Sequence, residues 1–397
     1  MDASFQPASV EDLRELIKWA AAEATPLEVF GSGSKRTLGR QVQAAHALTL
    51  SKLAGVDVYE PAELVMTAKA GTPIADIERL VQENGQELSF EPIDYGRLLG
   101  LEPGQGTLGG VLTANLSGPR RIKAGAARDH ILGMEAVSGR GEIFNSGGRV
   151  VKNVTGYDLP RALCGSWGTL AVASTVTIKV NPASQTSETL VLTNLDDARA
   201  VKAMCKAMGS SAEVSGAAHL PNGLNGEGAR TYLRLEGFVE SVRYRRENLA
   251  RLLDDFGPVA KVQAEETAKI WRSIKDVEPF WSNSGPVWRI SVAPTAGPVL
   301  VGALSKLFQL EAFYDWSGGL VWLNCSDGRV HDVDIRRVIG TVGGGHGTLI
   351  RADAAQRAST QVFQPQPASL AALSQRLKEQ FDPKGILNPG RMGSQTQ

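Results

Sequence analysis

The hydrophobic positions near the start of the chain repeat at the spacing of an amphipathic helix. Ser9 followed by Asp12 has the pattern of a helix-capping box. The predicted buried face after this cap consists of Val10, Leu13, Ile17, Ala20 and Ala24. We therefore predict a first helix that ends at Pro26, followed by a short strand over residues 27–30.

A second strand and a second helix are predicted further along the chain. Alternating hydrophobic positions over residues 64–70 indicate the strand. Thr72 as the cap and Pro73 as the first helical residue indicate where the helix begins, and Gly85 indicates where it ends. The predicted inward positions of this helix are Ile74, Ile77, Leu80 and Val81.

Short segments separated by glycine predict a β-hairpin in the next part of the chain. The two strands cover residues 133–138 and 142–145, with a turn between them. A strand with a period of two follows over residues 173–180. Pro182 and the polar residues after it mark a boundary.

Beyond this boundary, strand-like segments alternate with amphipathic helices, which is typical of an α+β layer with a mainly antiparallel sheet. The predicted strands are 189–193, 231–235, 288–292 and 320–324, and the clearest helices are 196–208, 241–256 and 299–308. Residues 353–367 have the composition of a linker, and a last helix is predicted over residues 369–381. The tail after this helix is punctuated by proline and glycine, so we expect it to pack against the rest of the protein.

Two glycine-rich stretches are candidate nucleotide-binding loops. Residues 31–35 (GSGSK) follow a predicted strand and end in lysine, so backbone N–H groups and a cation are available to hold a phosphate. Residues 100–118 have the glycine content expected where the backbone passes close to a large cofactor. Glycine content alone fits a series of surface turns equally well. Neither stretch has the spacing of a Rossmann fingerprint or a P-loop, so those folds are not predicted.

The composition limits the class of protein. The 397 residues are enough for two domains, and the balance of 42 basic against 42 acidic residues argues against a nucleic-acid-binding surface. The three cysteines, Cys164, Cys205 and Cys325, are too few and too far apart for a disulfide framework or a four-thiolate iron–sulfur cluster. The sequence shows neither a signal peptide nor a membrane-spanning hydrophobic run. We therefore expect a cytoplasmic, soluble protein that contacts the inner membrane only through a partner.

Four separated motifs resemble the vanillyl-alcohol-oxidase/p-cresol methylhydroxylase family of flavoproteins. They are PGQGTLGGVLTAN (103–115), RDHILGMEAVSGRGEI (128–143), VKNVTGYDLPRALCGSWGTL (151–170) and FDPKGILNPGRM (381–392). The resemblance implies an α+β fold, with a two-lobed FAD-binding domain, an α+β cap domain with a mainly antiparallel sheet, and a C-terminal tail that returns to the first domain. The implied boundaries are 1–182, 183–367 and 368–397.

The resemblance also implies which residues hold the cofactor. FAD is expected to contact Gly31, Ser32, Gly33, Ser34, Lys35, Pro103, Gly104, Thr107, Leu108, Gly109, Gly110, Thr113, Asn115, Ser117, Gly118, Arg128, Asp129, Gly156, Tyr157, Asp158, Gly165, Gly168, Leu170, Val172, Asn388 and Arg391. Three of these have another interpretation. Asp129 fits the cap of a local turn, Tyr157 fits a core aromatic residue, and Arg391 fits a surface salt bridge.

Two departures from the family pattern affect the expected chemistry. Members with covalent FAD carry a histidine in the first loop, and residues 30–40 contain none, so the FAD is expected to be non-covalent. Catalytic hydroxy-acid members carry the motif HxGDGNxH, whereas residues 343–353 (GGGHGTLIRAD) keep only His346. His346 is therefore the one catalytic candidate, and it fits a structural loop residue as well. His331 is near it in sequence, but the pair lacks a metal triad, so no metal is expected.

The resemblance implies an FAD-binding subunit of a glycolate oxidase- or glycolate dehydrogenase-type complex. Such a complex oxidises glycolate, or a similar 2-hydroxy acid such as D-lactate, to the 2-oxo acid. The implied partners are a catalytic flavoprotein subunit and an iron–sulfur subunit that passes electrons toward quinone.

Two alternatives to this function stay open. A self-sufficient dehydrogenase would use His346 as the proton acceptor and Arg289 or Arg351 to hold the substrate carboxylate. A scaffold subunit would hold FAD structurally and dock its partners on a tryptophan-rich surface. The tryptophans concerned fit a core as well, and they are Trp271, Trp281, Trp288, Trp316 and Trp322.

Overall fold

The structure is a computed structural model that describes residues 4–150 and 156–393. Residues 151–155 of the motif over 151–170 lie outside the described residues. Up to Pro182, the described strands are β1 (Ser4–Phe5), β2 (Leu27–Phe30), β3 (His46–Thr49), β4 (Val56–Glu60), β5 (Val65–Lys69), β6 (Gln86–Glu87), β7 (Ile131–Ser138), β8 (Ile143–Gly147), β9 (Ala171–Lys179) and β10 (Asn181–Pro182). The described α-helices of this part are α1 (Val10–Ala22), α2 (Ile74–Glu83), α3 (Leu108–Thr113), α4 (Arg121–Ala124), α5 (Ala127–His130) and α6 (Leu159–Leu163).

Two sheets organise this part of the chain. Strands β1, β3 and β2 form a small parallel sheet in that order. Strands β4, β5, β9, β7 and β8 form a second, antiparallel sheet, in which β7 and β8 are the predicted hairpin. The short strands β6 and β10 pair separately. These are the two α+β lobes that the family resemblance implies.

The two predicted helix starts had different outcomes. The capping box at α1 is confirmed, because the Ser9 hydroxyl accepts from Asp12 N–H at 3.1 Å and the Asp12 carboxylate accepts from Ser9 N–H at 3.2 Å. The prediction that Thr72 caps α2 is wrong, since Pro73 occupies the capping position. The Thr72 hydroxyl instead donates to backbone carbonyls before the helix, at Lys69 (2.7 Å) and Gly55 (3.0 Å).

The rest of the chain forms the second layer. Its described strands are β11 (Thr186–Thr193), β12 (Gly216–Leu220), β13 (Arg230–Gly237), β14 (Val259–Val262), β15 (Val287–Ser291), β16 (Leu310–Asp315), β17 (Leu320–Cys325) and β18 (His346–Arg351). Its described α-helices are α7 (Asp197–Met208), α8 (Val239–Leu252), α9 (Ala264–Lys275), α10 (Ala296–Leu304), α11 (Asp332–Thr341), α12 (Ala354–Ser359) and α13 (Ala368–Phe381). None of the helices in the ranges 4–150 and 156–393 is both long and apolar enough to cross a membrane.

Strands β11–β18 form one antiparallel sheet in the order β14-β11-β13-β12-β16-β17-β15-β18, which we call the cap sheet. Side chains alternate between its two faces. Trp288 and Tyr314 point to the face covered by the α7, α10 and α11 helices. Phe313 and Trp322 point to the other face and join the core of the first part. The predicted antiparallel α+β layer is confirmed, and one hydrophobic core spans residue 182, so the exact domain boundaries stay a prediction.

The prediction of a linker over residues 353–367 is wrong for its first half. This half contains the α12 helix, which begins with a capping box between Asp353 and Gln356. Arg357 on this helix is buried. The composition was misleading because alanine and glutamine are good helix formers as well as common linker residues.

The tryptophans of the second layer belong to the core. Trp271, Trp288, Trp316 and Trp322 are buried, and Trp281 is half-buried. The indole N–H groups of Trp271 and Trp288 also donate to protein oxygens, at Thr189 (2.9 Å) and Val330 (2.8 Å). The tryptophan-rich docking surface of the scaffold alternative therefore has no support in the structure.

A largely buried group of five charges, Glu87, Glu91, Arg120, Arg234 and Glu236, joins the cap sheet to the first part of the chain. Arg120 donates to the Glu236 carboxylate at 2.6 Å, and Arg234 donates to the Glu91 carboxylate at 2.8 Å. Burial alone would raise the pKa of Glu236, but the charges of Arg234 and Arg120 outweigh it and lower the pKa to about 2. Charges removed from water are stable only while each keeps its partner, so this group fixes how the two parts pack.

We expect the Glu236→Gln variant to lower the free energy of unfolding by about 2 kcal/mol, because two buried guanidinium groups lose a charged partner. Urea unfolding at pH 7 measures this change. The Glu236 pKa is depressed, so its contribution is complete above about pH 4.5 and declines as the pH falls toward 2. The control is Glu240→Gln, whose partner Arg243 is exposed, and we expect it to cost under about 0.5 kcal/mol. Equal effects of the two variants would contradict the prediction.

Candidate functional site

A cleft of about 710 Å³ lies between the loop after β2 and the α3 helix. Half of the predicted cofactor residues line it, and these are Gly31, Ser32, Gly33, Ser34, Lys35, Thr107, Gly109, Gly110, Thr113, Gly168, Val172, Asn388 and Arg391. The structure thus brings together the first loop, the second glycine-rich stretch and the C-terminal tail, which are far apart in sequence.

Hydrogen bonds between hydroxyl groups and backbone carbonyls hold the first loop in place. The Thr49 hydroxyl donates to the Gly31 carbonyl at 2.6 Å, and the Ser32 hydroxyl donates to the Gln105 carbonyl. Gly31 packs so closely on Thr107 that a Cβ atom there would overlap the threonine side chain. Only glycine fits this approach between the two loops, which defines the shape of the cleft.

The α3 helix approaches strand β5 closely through Gly109. The Gly109 N–H donates to the Ala70 carbonyl at 2.8 Å, and a Cβ atom on Gly109 would lie 2.9 Å from both the carbonyl oxygen and the Cβ atom of Ala70. At the start of α3, the Thr107 hydroxyl accepts from the Gly110 N–H at 3.3 Å. The glycines of the GTLGG motif therefore set the distance between this helix and the sheet.

Lys35 contributes a positive charge to the cleft. Its ammonium group donates to the Ser34 hydroxyl at 3.3 Å and forms no ion pair with any residue that the structure describes. Burial lowers the pKa of Lys35 to about 8, although the charge of Asp94 acts in the opposite direction. A desolvated cation without a counter-ion favours an anionic ligand, and the diphosphate of FAD supplies that charge.

The C-terminal tail closes the cleft from the side of β2. Leu27 and Leu387 pair in parallel, with the Leu27 N–H donating to the Ile386 carbonyl at 2.8 Å. The Asn388 side chain accepts from the Val29 N–H at 2.8 Å and donates to the carbonyls of Val29 (3.1 Å) and Trp167 (2.9 Å). The expectation that the tail packs on the first part of the chain is confirmed.

Arg391 anchors the loop that follows Lys35. It is 4% exposed, donates to the carbonyls of Arg36 (3.2 Å) and Leu38, and lies 3.5 Å from the Glu28 carboxylate. The alternative of a surface salt bridge is therefore excluded. Its contacts also explain why the tail and the first loop share one wall of the cleft.

We expect the Asn388→Ala variant to lose about 2 kcal/mol of stability, because the Val29 N–H and two carbonyls lose their buried partner. Alanine also fits the Asn388 backbone poorly, since its φ of 43° lies in the left-handed region. Urea unfolding and limited proteolysis of the tail measure the effect. The control Asn84→Ala removes an exposed amide that donates only to the Leu80 carbonyl, and it should change neither readout. A tail as protected in Asn388→Ala as in the unmodified protein would contradict the prediction.

The other predicted cofactor residues do not line this cleft, and several have structural roles. Leu108 and Leu170 are core residues. The Ser117 hydroxyl accepts from the Ala127 N–H at 2.8 Å. The Asp129 carboxylate accepts from the Ala126 N–H at 2.9 Å, which supports its alternative interpretation as a local cap. The residues that remain outside the cleft are Pro103, Gly104, Asn115, Gly118, Arg128, Gly156, Tyr157, Asp158 and Gly165.

Among these, Tyr157 and Asp158 differ most from expectation. Tyr157 is 89% exposed, so the alternative of a core aromatic residue is excluded. Asp158 is the N-cap of α6 and accepts from the Arg161 N–H at 3.3 Å. Contact of either residue with the flavin stays a prediction.

The sequence did not indicate several residues that line the cleft. They come from the loop, the strands and the turn around it and are Val29, Phe30, Arg36, Leu50, Ala70, Trp167, Ala171 and Ala173. Most carry no polar group, so their types gave no signal. Trp167 has a φ of 55°, a conformation unusual for an aromatic residue, and nothing in the sequence indicated it.

The face of the cap sheet toward the first part carries the candidates for substrate chemistry. His346 begins β18 and is exposed, and burial together with the charges of Arg289 and Arg121 lowers its pKa below the usual range. A neutral histidine is able to accept a proton. Arg289 lies on β15, two positions before Ser291, which pairs with His346. The structure therefore places Arg289 near His346, as the self-sufficient alternative requires.

Two other candidates from the sequence are engaged elsewhere. The Arg351 guanidinium donates to the carbonyls of Phe280 (2.7 Å), Gly285 (3.0 Å) and Leu98 (3.3 Å), so its role in holding a substrate carboxylate is not supported. His331 pairs with Asp327 at 2.8 Å and stacks on Phe308. Within the ranges that the structure describes, no three His, Cys, Asp or Glu residues come together as metal ligands would.

Comparison with known proteins shows similarity to FAD-binding proteins. The FAD binding domain family model matches residues 1–147. The glycolate oxidase subunit GlcE of Escherichia coli is 34% identical over 389 residues, which cover 96% of each chain. The glycolate oxidase subunit GlcD of Bacillus subtilis is 28% identical over 48% of this chain and 39% of its own length. The chain therefore matches GlcE over nearly its whole length and GlcD over a much smaller share.

A solved structure shows the same fold. p-Cresol methylhydroxylase with bound substrate superposes with a TM-score of 0.71 at 14% identity, over 98% of this chain and 88% of that one. The cleft with its glycine approaches and its lysine without a counter-ion fits the FAD that the family model describes. The chain belongs to the vanillyl-alcohol-oxidase/p-cresol methylhydroxylase family of FAD-dependent oxidoreductases, in the group of the glycolate oxidase subunit GlcE.

Proposed function

We propose that this chain is the FAD-bearing subunit of a complex that oxidises glycolate, or a similar 2-hydroxy acid such as D-lactate, to the 2-oxo acid. The observation that carries the proposal is the cleft formed by the first loop, α3 and the tail. The similarity to GlcE, which covers 96% of both chains, supports it.

Different residues of the cleft would contact different parts of FAD or shape the cleft around it. The backbone of residues 31–35 and the Lys35 ammonium group would hold the diphosphate, because this is where positive charge and N–H groups converge. Gly109 would shape the cleft by letting α3 pack closely on Ala70, and Gly168 by letting its turn pack closely on Asn388. Bound FAD supplies the chemistry, since a flavin accepts a hydride and releases its electrons singly. The binding would be non-covalent, because the first loop contains no histidine.

Electron transfer out of this subunit requires partners. The chain has only Cys164, Cys205 and Cys325, and none of them forms a disulfide or lies beside another in the structure. An iron–sulfur cluster normally takes four thiolates, so a separate iron–sulfur subunit would carry the electrons onward. The other proposed partner is a catalytic flavoprotein subunit similar to GlcD. Contact with the cytoplasmic face of the membrane would occur through these partners.

A second function, oxidation of a hydroxy acid by this chain alone, is favoured by one observation. His346 is neutral near pH 7 and lies near Arg289, so a base and a carboxylate-binding cation occur on one face of the cap sheet. Anaerobic addition of glycolate or D-lactate to the FAD-loaded chain separates the two proposals. Bleaching of the flavin absorbance would support independent turnover, and an unchanged spectrum would leave turnover to the complex.

Co-purification tests the leading proposal. The full chain is expressed with its natural partners, isolated by an affinity tag, and analysed by mass spectrometry together with a flavin and iron count. We expect FAD on this chain and co-purifying flavoprotein and iron–sulfur subunits. A chain that releases no FAD on heating, or that isolates alone from active cells, would contradict the proposal. A complex fully active after FAD is removed from this subunit would favour a scaffold role with structural FAD.

A further inference from the structure

We propose that Arg121 and Arg289, which both contact the Trp316 ring, form a binding site for the carboxylate of a small organic acid. Arg121 begins the α4 helix in the first part of the chain, and Arg289 lies on β15 of the cap sheet. The site is thus shared by the two parts of the chain. The identity of the ligand as a 2-hydroxy or 2-oxo acid rests on the proposed function, whereas carboxylate binding itself is tested separately.

Both guanidinium groups stack on the same indole ring. The Arg121 Cζ atom lies 4.3 Å and the Arg289 Cζ atom 4.8 Å from the Trp316 ring centroid. The indole N–H of Trp316 donates to the Gly118 carbonyl at 3.1 Å, which fixes the ring against the end of the glycine-rich stretch. Two cations held on one rigid ring repel each other, and a bound anion between them relieves this repulsion.

Neither guanidinium has a partner of its own. Within residues 4–150 and 156–393, the side chains of Arg121 and Arg289 form no hydrogen bond and no ion pair. Asp315 and Asp129 are near enough for their charges to act on the two arginines, but neither pairs with them. The Asp315 carboxyl instead accepts from the Trp316 N–H at 2.7 Å. Arg289 is half-buried, and an arginine partly removed from water usually pairs with a carboxylate, so its lack of a partner among the described residues indicates an anion site.

A second group without a partner lies beside Arg289. Arg289 is opposite Trp322 in the sheet register, and the Tyr95 ring lies 6.1 Å from the Trp322 ring. Tyr95 is 2% exposed, and its hydroxyl forms no hydrogen bond within the described chain. A buried hydroxyl normally has a partner, so this donor is available for a ligand oxygen.

The combination favours a carboxylate over other anions. A guanidinium donates two parallel hydrogen bonds in the plane that a carboxylate requires, and the Tyr95 hydroxyl adds a single donor. The charges of both arginines act on His346 and lower its pKa, so its imidazole is neutral near pH 7. It would therefore supply a neutral acid–base group beside the bound anion. Arg121 is exposed and Arg289 is half-buried, so the site is open to solvent on one side.

Oxalate, which cannot be oxidised as a hydroxy acid, is the probe for the site. Isothermal titration calorimetry on the FAD-loaded full chain measures its binding, and quenching of tryptophan fluorescence gives a second readout. We expect saturable binding of oxalate, weakened at least about tenfold in each of Arg121→Met and Arg289→Met. Flavin content and circular dichroism of each variant show whether its fold is intact.

Arg97→Met is the matched control, because Arg97 is an exposed arginine that stacks on a different tryptophan, Trp281, at 5.1 Å. It should bind oxalate as the unmodified chain does. No binding of oxalate, equal loss in Arg97→Met and Arg289→Met, or equally tight binding of inorganic phosphate would overturn the inference. FAD and partners retained without oxalate binding would refute this site alone, and oxalate binding by a chain that recruits no partners would refute the proposed function alone.

Discussion

The Gly109→Val variant should purify as a folded protein that has lost FAD. The valine Cβ atom would lie 2.9 Å from the Ala70 carbonyl oxygen, which is backbone and has no freedom to rotate away. The α3 helix must therefore move off strand β5, and Gly110 and Thr113 on the cleft wall move with it. Overpacking of this kind costs roughly 1–3 kcal/mol, so we expect FAD affinity to fall about 10- to 100-fold.

Flavin absorbance per protein and fluorescence titration of the apoprotein with FAD measure this loss. The control is Gly302→Ala, a helical glycine on α10 whose Cβ atom would meet no atom within 4 Å. That variant should bind FAD normally and be stabilised by up to about 1 kcal/mol, since alanine is the better helix former. Normal flavin content in Gly109→Val would show that α3 is not part of the FAD site.

The Lys35→Met variant should weaken FAD binding about 100-fold, because it removes a positive charge of the cleft that has no counter-ion among residues 4–150 and 156–393, and it keeps the shape of the side chain. The same change should stabilise the apoprotein. A cation whose pKa is lowered to about 8 by burial is costly to keep charged, and methionine removes that cost. Weaker cofactor binding combined with a more stable apoprotein is a result that general loss of fold does not produce.

The pH dependence of FAD binding supplies a further check on Lys35. In the free protein Lys35 is charged below about pH 8 and loses its proton above it. FAD affinity should therefore fall above pH 8, by up to about tenfold per pH unit, and this dependence should disappear in Lys35→Met. The exposed Lys52 provides the control Lys52→Met, which should keep both the affinity and its pH dependence. A dependence that persists in Lys35→Met would assign it to another group.

The sequence predicted several elements of the first part of the chain and the docking of its tail. The α1 cap, the β7–β8 hairpin and the docking tail depend on local signals, such as the Ser9–Asp12 pair and the glycines at the turn. The cap of α2 was placed one residue too early. Thr72 is a good capping residue, but its hydroxyl donates to the carbonyls of Lys69 and Gly55 instead of capping the helix.

Four strands of the cap sheet had no clear signal in the sequence. In β12 all five residues are buried, so the alternation that identifies a half-exposed strand is absent. Strand β14 is only four residues long, and β18 begins within a glycine run. Their pairing depends on contacts between distant parts of the chain, which no local pattern records.

The candidate sites were predictable to different degrees. The cleft follows from motifs, since GSGSK, GTLGG and NPGR each contribute residues that line it. Arg121 could not be identified from the sequence, because it lies in a run of basic residues with nothing to distinguish it. Arg121 and Arg289 contact the same Trp316 ring only when the cap sheet is packed on the first part of the chain.

The return of the tail to β2 determines when the cleft can exist during protein synthesis. Asn388 and Arg391 are translated long after the residues that they hold, which are Val29 and the loop that contains Leu38. A growing chain that lacks residues 388–391 therefore has no complete cleft, however well its first 180 residues have folded. Cofactor loading is then a step that follows synthesis of these residues, and a chain that stops before Asn388 yields a protein that cannot keep its flavin.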